Sequence, residues 1–341
     1  MNSILIIRTD SLGDVILSFP VISALRRKFS STQIWFLGKN YTKDILECSP
    51  HLDGIILTDD ISNRKKKMGV LVREIKEKEF DTAVVLYPEL AIALAIFLAG
   101  IPRRIGTGYR WYSMLFNKRI YEHRKYCKKH EVEYNLGLLK PLNIDEKKVE
   151  FDIKIPEKDK DKIKKILKDK GISENDTLII IHPGSRGSAI DFDPYKFTDL
   201  IDMISLKTDS KVIISGTKSE EMILNKINEK CQKKPITFDR ELTLKELAAL
   251  LKRANIFVSN STGPLHLAVA LDTEVIGIFP DIIPLSPERW GPYKKEDSIV
   301  TPNIPVGVKK NKKSYIKNRF MDLIKPEDIF KLVERKISNL K

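Results

Sequence analysis

Apolar residues in the first third of the chain occur at two spacings. Runs without a polar residue, such as Ile4-Leu5-Ile6-Ile7, are typical of strands that are buried on both faces. The segments between these runs place apolar residues three or four positions apart, which is typical of amphipathic helices. The predicted strands are 4–7, 34–37, 54–57, 83–86 and 104–106, and the predicted helices are 14–28, 41–48, 66–78 and 90–100.

The second half repeats this alternation after a stretch, from 121 to 170, in which charged residues dominate. Its predicted strands are 178–182, 211–215, 256–259 and 275–279, and its predicted helices are 194–206, 219–231, 243–254, 264–271 and 326–340. We therefore place one domain at 1–155 and a second at 156–341. Strands that alternate with helices predict parallel sheets, so the expected fold class is α/β with two doubly wound domains facing each other across a cleft. Ligands of such sheets bind at the carboxyl ends of the strands.

Charge points to an anionic partner. The 341 residues include 60 Lys and Arg against 46 Asp and Glu, a formal net charge of +14. The excess favours a phosphorylated ligand, nucleic acid or an anionic membrane surface, although a solvated lysine-rich surface explains each single run equally well. The chain lacks a recognition motif for nucleic acid, so no nucleic-acid partner is predicted.

Targeting and metal signals are not evident in the sequence. Charged residues follow the first apolar run at once, unlike a signal peptide, and the longest apolar stretch, 90–100, is too short to span a membrane. We therefore expect a cytoplasmic protein with at most a peripheral contact to an anionic membrane. Three scattered cysteines and five histidines give no metal-ligand spacing, so neither a metal nor a cofactor is predicted.

Three turns that contain glycine follow predicted strands. They are 8–14 (RTDSLGD), 182–188 (HPGSRGS) and 259–266 (SNSTGPLH). Small residues and a helix amino terminus let backbone N–H groups approach a phosphate, and Arg186 adds positive charge. Each turn is weak evidence by itself, but the last two together favour a diphosphate bound to the second domain.

Asp14 ends the first turn and has two possible roles. A capping carboxylate at a helix start is far commoner than a catalytic base, so the residues alone favour a helix cap. The turn also lacks the G-x-G-x-x-G pattern of a nicotinamide site.

With these motifs in order, the chain resembles the ADP-heptose:lipopolysaccharide heptosyltransferases, glycosyltransferase family 9. The resemblance runs over nearly the whole chain through Leu12-Gly13-Asp14-Val15, Pro102-Arg103-Arg104-Ile105-Gly106, His182-Pro183-Gly184-Ser185 and Ser261-Thr262-Gly263-Pro264. It implies a GT-B fold whose last helix, about 326–340, crosses back to the N-terminal domain. It also implies metal-independent, inverting transfer of a sugar from an ADP-sugar to an anionic glycolipid such as a lipopolysaccharide core.

The resemblance assigns roles to individual residues. Asp14 becomes the catalytic base. The implied donor-binding residues are Ser185, Arg186, Glu220 or Glu221, Leu242, Thr262, Gly263 and His266. The implied acceptor-binding residues are Arg8, Thr9, Lys65, Lys66, Lys67, Arg103 and Arg104.

Two departures from the family pattern affect the donor more than the reaction. Ser261 stands where many members carry Asp, and the run 189–194 lacks the Lys that many members carry after the phosphate turn. Three alternatives stay open at this point. They are a member of the family with another sugar donor or acceptor, a nucleotide-sugar epimerase of the same fold, and a basic module that binds nucleic acid or membranes.

Overall fold

The structure, a computed structural model, describes residues 1–60, 62, 64–185, 187, 189–238, 240–305 and 311–340. Its contacts divide the chain into two units. Unit 1 comprises Met1–Arg124 and Glu131–Lys154, and unit 2 comprises Lys125–His130 and Ile155–Lys341. The division falls one residue before the predicted domain boundary. The assignment of Lys125–His130 to unit 2 was not predicted from the sequence.

Unit 1 is built on one parallel sheet. Its strands are β1 (Ser3–Ile7), β2 (Gln33–Gly38), β3 (Gly54–Leu57), β4 (Thr82–Val85), β5 (Arg103–Thr107) and β6 (Lys118–Ile120), in the order β3-β2-β1-β4-β5-β6. The apolar run in β1 is fully buried because β1 lies between β2 and β4 with helices over the sheet. This is the doubly wound order in which the strand sequence reverses between β1 and β4, so a ligand is expected there, at the carboxyl ends of the strands.

The helices of unit 1 are α1 (Leu12–Ile16), α2 (Phe19–Lys28), α3 (Lys43–Leu46), α4 (Met68–Lys76), α5 (Leu90–Leu98) and α6 (Glu131–Gly137). The structure divides the predicted helix 14–28 into α1 and α2 with a break at Leu17 and Ser18, and α2 begins next to Pro20, as the position of that proline predicts. Pro20 explains the break. It lacks the N–H that a continuous helix needs, and it is tolerated in the first turn of α2.

Unit 2 contains a second parallel sheet. Its strands are β7 (Leu178–His182), β8 (Lys211–Ile214), β9 (Ile256–Asn260), β10 (Glu274–Ile278) and β11 (Ile299–Val300), in the order β11-β10-β9-β7-β8. Numbered within the unit, this is the second common doubly wound order, with the reversal between β7 and β9. Both predicted phosphate turns leave the sheet at this reversal, since one follows β7 and the other follows β9.

The helices of unit 2 are α7 (Glu157–Asp169), α8 (Pro194–Lys207), α9 (Glu221–Lys230), α10 (Leu244–Arg253), α11 (Gly263–Ala270), α12 (Pro287–Trp290), α13 (Lys312–Lys317) and α14 (Pro326–Ser338). The last helix, α14, is assigned to unit 2. Its buried face, with Ile329, Phe330 and Val333, packs against α8 and β10 of unit 2 and belongs to the core of that unit. Lys336 adds an ion pair to Glu274 at 2.7 Å.

No described helix is long and apolar enough to cross a membrane. The apolar helix predicted at 90–100 is present as α5, which has nine residues.

Candidate active site

The loop after β1 brings Asp14 to the carboxyl edge of the sheet in unit 1. Ser11 occupies the N-cap position of α1, and Asp14 is the third residue of that helix. The helix-cap interpretation of Asp14 is therefore wrong. Its carboxylate instead accepts hydrogen bonds from the Arg8 guanidinium at Oδ1 and from the Ser11 hydroxyl at Oδ2.

Arg8 organises the acidic side chains of this loop. Its side chain is only 1% exposed, and its guanidinium contacts Asp14 through Nη2, Asp10 through Nε at 2.7 Å and Glu131 through Nη1 at 2.9 Å. Nη1 also donates to Asn135 Oδ1 at 3.1 Å. A guanidinium has five N–H donors in a fixed plane, and this arrangement uses them to fix several acceptors at once.

Two of these acceptors come from α6, more than 120 residues after Arg8. Glu131 and Asn135 are fully buried, and both also accept hydrogen bonds from Arg124, at 2.7 and 3.1 Å. The amide of Asn135 donates to the carbonyl of Leu17 at 3.0 Å, at the break between α1 and α2. Helix α6 therefore holds both the guanidinium and the backbone that follows Asp14.

Burial and neighbouring charges act differently on Arg8 and Asp10. Burial lowers the pKa of Arg8, but the carboxylates of Asp14, Glu131 and Asp10 outweigh burial and raise that pKa above its ordinary value. Burial raises the pKa of Asp10 to about 6, with Arg8 opposing the rise and the charge of Asp14 adding to it. Arg8 is therefore a permanent cation beside Asp14, whereas Asp10 takes up a proton in mildly acidic solution.

Thr9 connects the ends of β1 and β4, the two strands between which the strand order of unit 1 reverses. Its hydroxyl donates to Glu89, which follows β4, at 2.7 Å. The backbone carbonyl of Asp10 accepts a hydrogen bond from the Tyr41 hydroxyl at 2.7 Å. The loop that carries Asp14 is therefore held from both neighbouring strands.

The basic residues predicted to bind an acceptor lie at two different edges of the sheet. Lys65, Lys66 and Lys67 follow β3 and lie at the same carboxyl edge as Asp14, with Lys65 and Lys67 exposed. Lys66 is paired with Glu74, with Nζ–Oε distances of 2.6 and 2.8 Å.

Arg103 and Arg104 begin β5 and lie at the opposite edge. Arg103 aligns with Thr82, which in turn aligns with Ile4 at the start of β1. Because a strand rises about 3.3 Å per residue, this register separates both arginines from the Asp14 loop by roughly the length of the strand. Arg104 also donates to the carbonyl of Leu115 at 2.8 Å. The structure thus does not bring these two residues together with Asp14.

In unit 2, the backbone of the turn after β7 passes close to the side chain of Glu220. Ser185 is buried, and its hydroxyl accepts a hydrogen bond from the N–H of Gly187 at 3.2 Å. A Cβ atom on Gly184 would lie 1.9 Å from Oε1 of Glu220, so only glycine fits there without displacing that carboxylate. Arg186, the predicted phosphate ligand, lies outside the described residues.

Glu220 and Glu221 were left as alternatives by the sequence, and the structure places them differently. Glu220 is 5% exposed, and its Oε2 accepts hydrogen bonds from the N–H and the hydroxyl of Thr217, each at 2.8 Å. Oε1 is buried and has no hydrogen-bond partner among the described residues. Glu221 is exposed at the start of α9. A buried carboxylate oxygen without a donor is costly, so this one is a candidate contact for a ligand hydroxyl.

The turn after β9 lies beside the turn after β7, because His182 of β7 aligns with Ser259 of β9. Thr262 takes the N-cap position of α11, but its hydroxyl pairs with Ser259 at 2.9 Å and makes no cap bond. Gly263 is the first residue of the helix. His266 is buried, with its ring 6.3 Å from that of Trp290.

Asn260 joins the two turns and was missed in the sequence. Its side-chain amide donates to the carbonyl of Pro183 at 2.8 Å and accepts from the N–H of Phe192 at 3.0 Å. The side chain is fully buried. An asparagine at the end of an apolar strand was the available signal, but nothing in the sequence indicated its partners.

Asp191 was also missed as a site residue. It lies in the run that departs from the family pattern. Burial raises the pKa of Asp191, the charge of Glu220 adds to the rise, and a hydrogen bond to Ser185 opposes it.

Leu242, predicted to line the base of the nucleotide, is half-buried and directly precedes the capping box of α10, formed by Thr243 and Glu246. The pKa of Glu246 falls to about 2 because Arg240 and then Lys162 hydrogen-bond to it, against burial.

Two Rossmann-like units, each with a parallel sheet whose strand order reverses once, have the architecture of the GT-B fold. The sequence profile of glycosyltransferase family 9 (heptosyltransferase) matches residues 68–319, and the chain therefore belongs to this family. The predicted fold class, family and enzyme class are confirmed.

Individual relatives extend this comparison. A Haemophilus influenzae protein is 28% identical over 317 residues, covering 90% of each chain. Its name describes a glycosyltransferase and specifies neither the donor nor the acceptor. Lipopolysaccharide heptosyltransferase 3 of Escherichia coli is 26% identical over 277 residues, covering 78% of this chain and 80% of its own. The structure of E. coli ADP-heptose lps heptosyltransferase II superimposes with a TM-score of 0.79 at 18% identity, covering 99% of both chains.

Proposed function

We propose that this enzyme transfers a heptose from ADP-heptose to a lipopolysaccharide core sugar or a related anionic glycolipid, with inversion at the anomeric carbon. The names of the E. coli relatives support both substrates, since one names ADP-heptose and both name lipopolysaccharide. Membership in family 9 supports the reaction class.

The buried Oε1 of Glu220 is the observation that carries the donor half of the proposal. A nucleotide sugar brings hydroxyl groups next to its diphosphate, and a ribose hydroxyl would supply a donor to this oxygen, which has none among the described residues. The same carboxylate touches Gly184 of the phosphate turn, so one ligand can reach both. Thr262 and Gly263, at the amino terminus of α11, favour the negative charge of the diphosphate.

Asp14 is proposed as the base. Its carboxylate takes the proton from the acceptor hydroxyl while the oxygen of that hydroxyl bonds to the anomeric carbon of the donor. The bond between that carbon and the phosphate oxygen breaks, and ADP leaves with the electron pair. Each carboxylate oxygen of Asp14 has two lone pairs, so the contacts to Arg8 and Ser11 leave capacity for an acceptor hydroxyl.

The acceptor is proposed to bind at the carboxyl edge of unit 1. Thr9, Lys65 and Lys67 remain the candidates at this edge, whereas Lys66 at the same edge is paired with Glu74. Arg8 is assigned a different role, because its burial and its four partners make it a positioning residue for Asp14. An anionic, lipid-linked acceptor also fits the proposed peripheral contact with an anionic membrane.

Replacing the proposed base tests this mechanism. We expect Asp14→Asn to lower the rate of heptose transfer by about 10²–10⁴-fold, because the amide cannot accept the proton. The affinity for ADP, measured by calorimetry, should stay unchanged, since the proposed donor contacts all lie in unit 2.

Asp10→Asn is the matched control, because it removes another carboxylate from the same guanidinium. It should retain most of the transfer activity. If Asp10→Asn and Asp14→Asn lose activity equally while both stay folded, Asp14 acts only as a counterion of Arg8 and the proposed base is wrong.

A further inference from the structure

Helix α5 is apolar on every face, although only one face is covered by the protein. Ile92, Ala93 and Ile96 point into the core of unit 1. On the other side, Leu90, Phe97 and Leu98 are 42%, 46% and 52% exposed. A helix that is hydrophobic all round is normally buried on all sides, so the exposed face requires a partner.

The exposed face continues onto the 3₁₀ helix Trp111–Leu115, which packs against α5. Trp111 and Met114 of this helix are 75% and 71% exposed, the highest exposures among the large apolar residues described. We call the exposed side chains of Leu90, Phe97, Leu98, Trp111 and Met114 the α5 patch.

Polar contacts hold the two helices of the α5 patch together at both ends. The Tyr112 hydroxyl donates to the carbonyl of Pro88 at 2.8 Å, just before α5. At the other end, the Arg104 guanidinium lies 5.2 Å from the centre of the Phe97 ring and donates to the carbonyl of Leu115 at 2.8 Å. The α5 patch is therefore a fixed surface of unit 1 rather than a set of scattered side chains.

The chain segment that carries the α5 patch is basic, although Glu89 and Glu122 flank it. Residues 90–121 contain five basic residues and no Asp or Glu. The basic residues are Arg103, Arg104, Arg110, Lys118 and Arg119. Such a surface attracts an anionic partner while its apolar side chains favour a medium without water.

From this combination we infer that the α5 patch is a docking surface for an anionic lipid bilayer, with Trp111 and Met114 inserted at the level of the headgroups and the arginines paired with lipid phosphates. Tryptophan is enriched at membrane interfaces, and basic residues near a bilayer gain attraction from anionic lipids. The inference rests on the proposed function for its biological sense, since a lipid-linked acceptor must be reached at a membrane.

The position of the patch relative to Asp14 supports this reading. Leu90, at one end of the patch, directly follows Glu89, and Glu89 accepts the hydrogen bond from Thr9 in the Asp14 loop at 2.7 Å. Docking through the α5 patch would thus bring the bilayer close to the carboxyl edge where the acceptor is proposed to bind. This placement also gives Arg104 a role, because its guanidinium lies against the Phe97 ring of the patch.

Vesicle binding tests the inference with the full-length protein. Sedimentation with vesicles of phosphatidylcholine alone and with about 30% phosphatidylglycerol measures the bound fraction. We expect binding only to the anionic vesicles, weakened as NaCl rises from about 0.05 M to about 0.5 M because salt screens the charges. The double variant Trp111→Ser/Met114→Ser should bind at least about tenfold more weakly, since it removes the inserted apolar surface.

Met222→Ser is the matched control, because Met222 is 68% exposed on α9 and does not belong to the α5 patch. Trp111→Phe keeps an apolar ring, so it should retain vesicle binding but lose the fluorescence blue shift of a tryptophan entering lipid. The other tryptophans, Trp35 and Trp290, are only half-buried but lie outside the patch and serve as an unshifted background.

Two results would overturn the inference. One is equal vesicle binding by the wild type, the double variant and Met222→Ser. The other is a wild-type dimer in solution that dissociates in the double variant, since a second copy would then cover the patch.

Heptose transfer to a water-soluble acceptor fragment separates this inference from the proposed function. The double variant should transfer at the wild-type rate, and loss of transfer by the wild type itself would count against the function alone.

Discussion

Arg8 shows how one residue can combine a structural and a functional task. Its guanidinium is buried, yet four acceptors surround it, and one of them is the proposed base. A buried cation is tolerated only when such partners compensate for its lost hydration. The partners are therefore as important for the position of Asp14 as Arg8 itself.

Glu131 is the partner whose removal is most informative. It is fully buried between Arg8 and Arg124. We expect Glu131→Gln to lower the free energy of unfolding by about 1.5–3 kcal/mol, because a charged hydrogen-bond partner is lost. The turnover number for transfer should also fall, with the affinity for ADP unchanged, since Arg8 would hold Asp14 less firmly. Urea unfolding and steady-state kinetics measure the two effects.

Glu133→Gln provides the comparison on the same helix, at an exposed position. Its unfolding free energy should change by less than about 0.5 kcal/mol, and its turnover should be that of the wild type. A Glu131→Gln enzyme that is destabilised but keeps full turnover would assign Glu131 to folding alone.

At the scale of elements, the turns after the strands carry the site more than the helices do. Three neighbouring strands, β8, β7 and β9, end in Thr217–Glu220, the Gly184 turn and the Thr262 turn. Asn260 connects two of these turns through backbone groups. Their geometry is therefore fixed by neighbouring strand ends rather than by any one loop.

Gly184→Ala tests how closely two of these turns fit. The added methyl group would overlap Oε1 of Glu220, and Glu220 is held by Thr217 through two hydrogen bonds. We expect the displaced carboxylate to weaken ADP binding by about tenfold, the effect of losing a hydrogen bond to a charged group. Calorimetric titration with ADP measures this change.

Gly69→Ala is a suitable control, since a Cβ on Gly69 meets no atom within 4 Å. It should bind ADP as the wild type does. Unchanged ADP affinity in Gly184→Ala would show that Glu220 does not contact the nucleotide.

At the scale of the whole molecule, the two sheets have different strand orders, but both place their candidate sites at the carboxyl ends of the strands where the order reverses. Each site lies where the strand order reverses, between β1 and β4 in unit 1 and between β7 and β9 in unit 2. At such a point, neighbouring strands send their connections to opposite faces and leave a crevice at their carboxyl ends. The proposed division of chemistry between acceptor and donor follows the division of the chain into units.

Nucleotide binding should raise Tm by an amount that depends on the base of the nucleotide. In a thermal-shift panel of ADP, UDP, GDP and CDP, we expect ADP to raise Tm most. A ligand at about 100 times its Kd adds about 2.7 kcal/mol to the free energy of unfolding when it binds only the folded state. The Asp14→Asn variant should show the same shift with ADP. A larger shift with UDP or GDP would replace the proposed donor while leaving the reaction class intact.

The sequence by itself determined the local structure, the class of the two sheets and the motifs of the family. Apolar runs and helical spacing report which segments are buried, and this information is local. The short strands β6 and β11 escaped prediction because they carry too few apolar residues to form a pattern.

Only the tertiary structure decided which distant residues meet. The pairing of Arg8 with Glu131 spans 123 positions, and the choice of Glu220 over Glu221 depends on which side chain faces Gly184. The register of β5 moved Arg103 and Arg104 to the edge opposite Asp14. Strand order, register and long-range ion pairs arise from packing in three dimensions, and for that reason no local pattern in the chain encodes them.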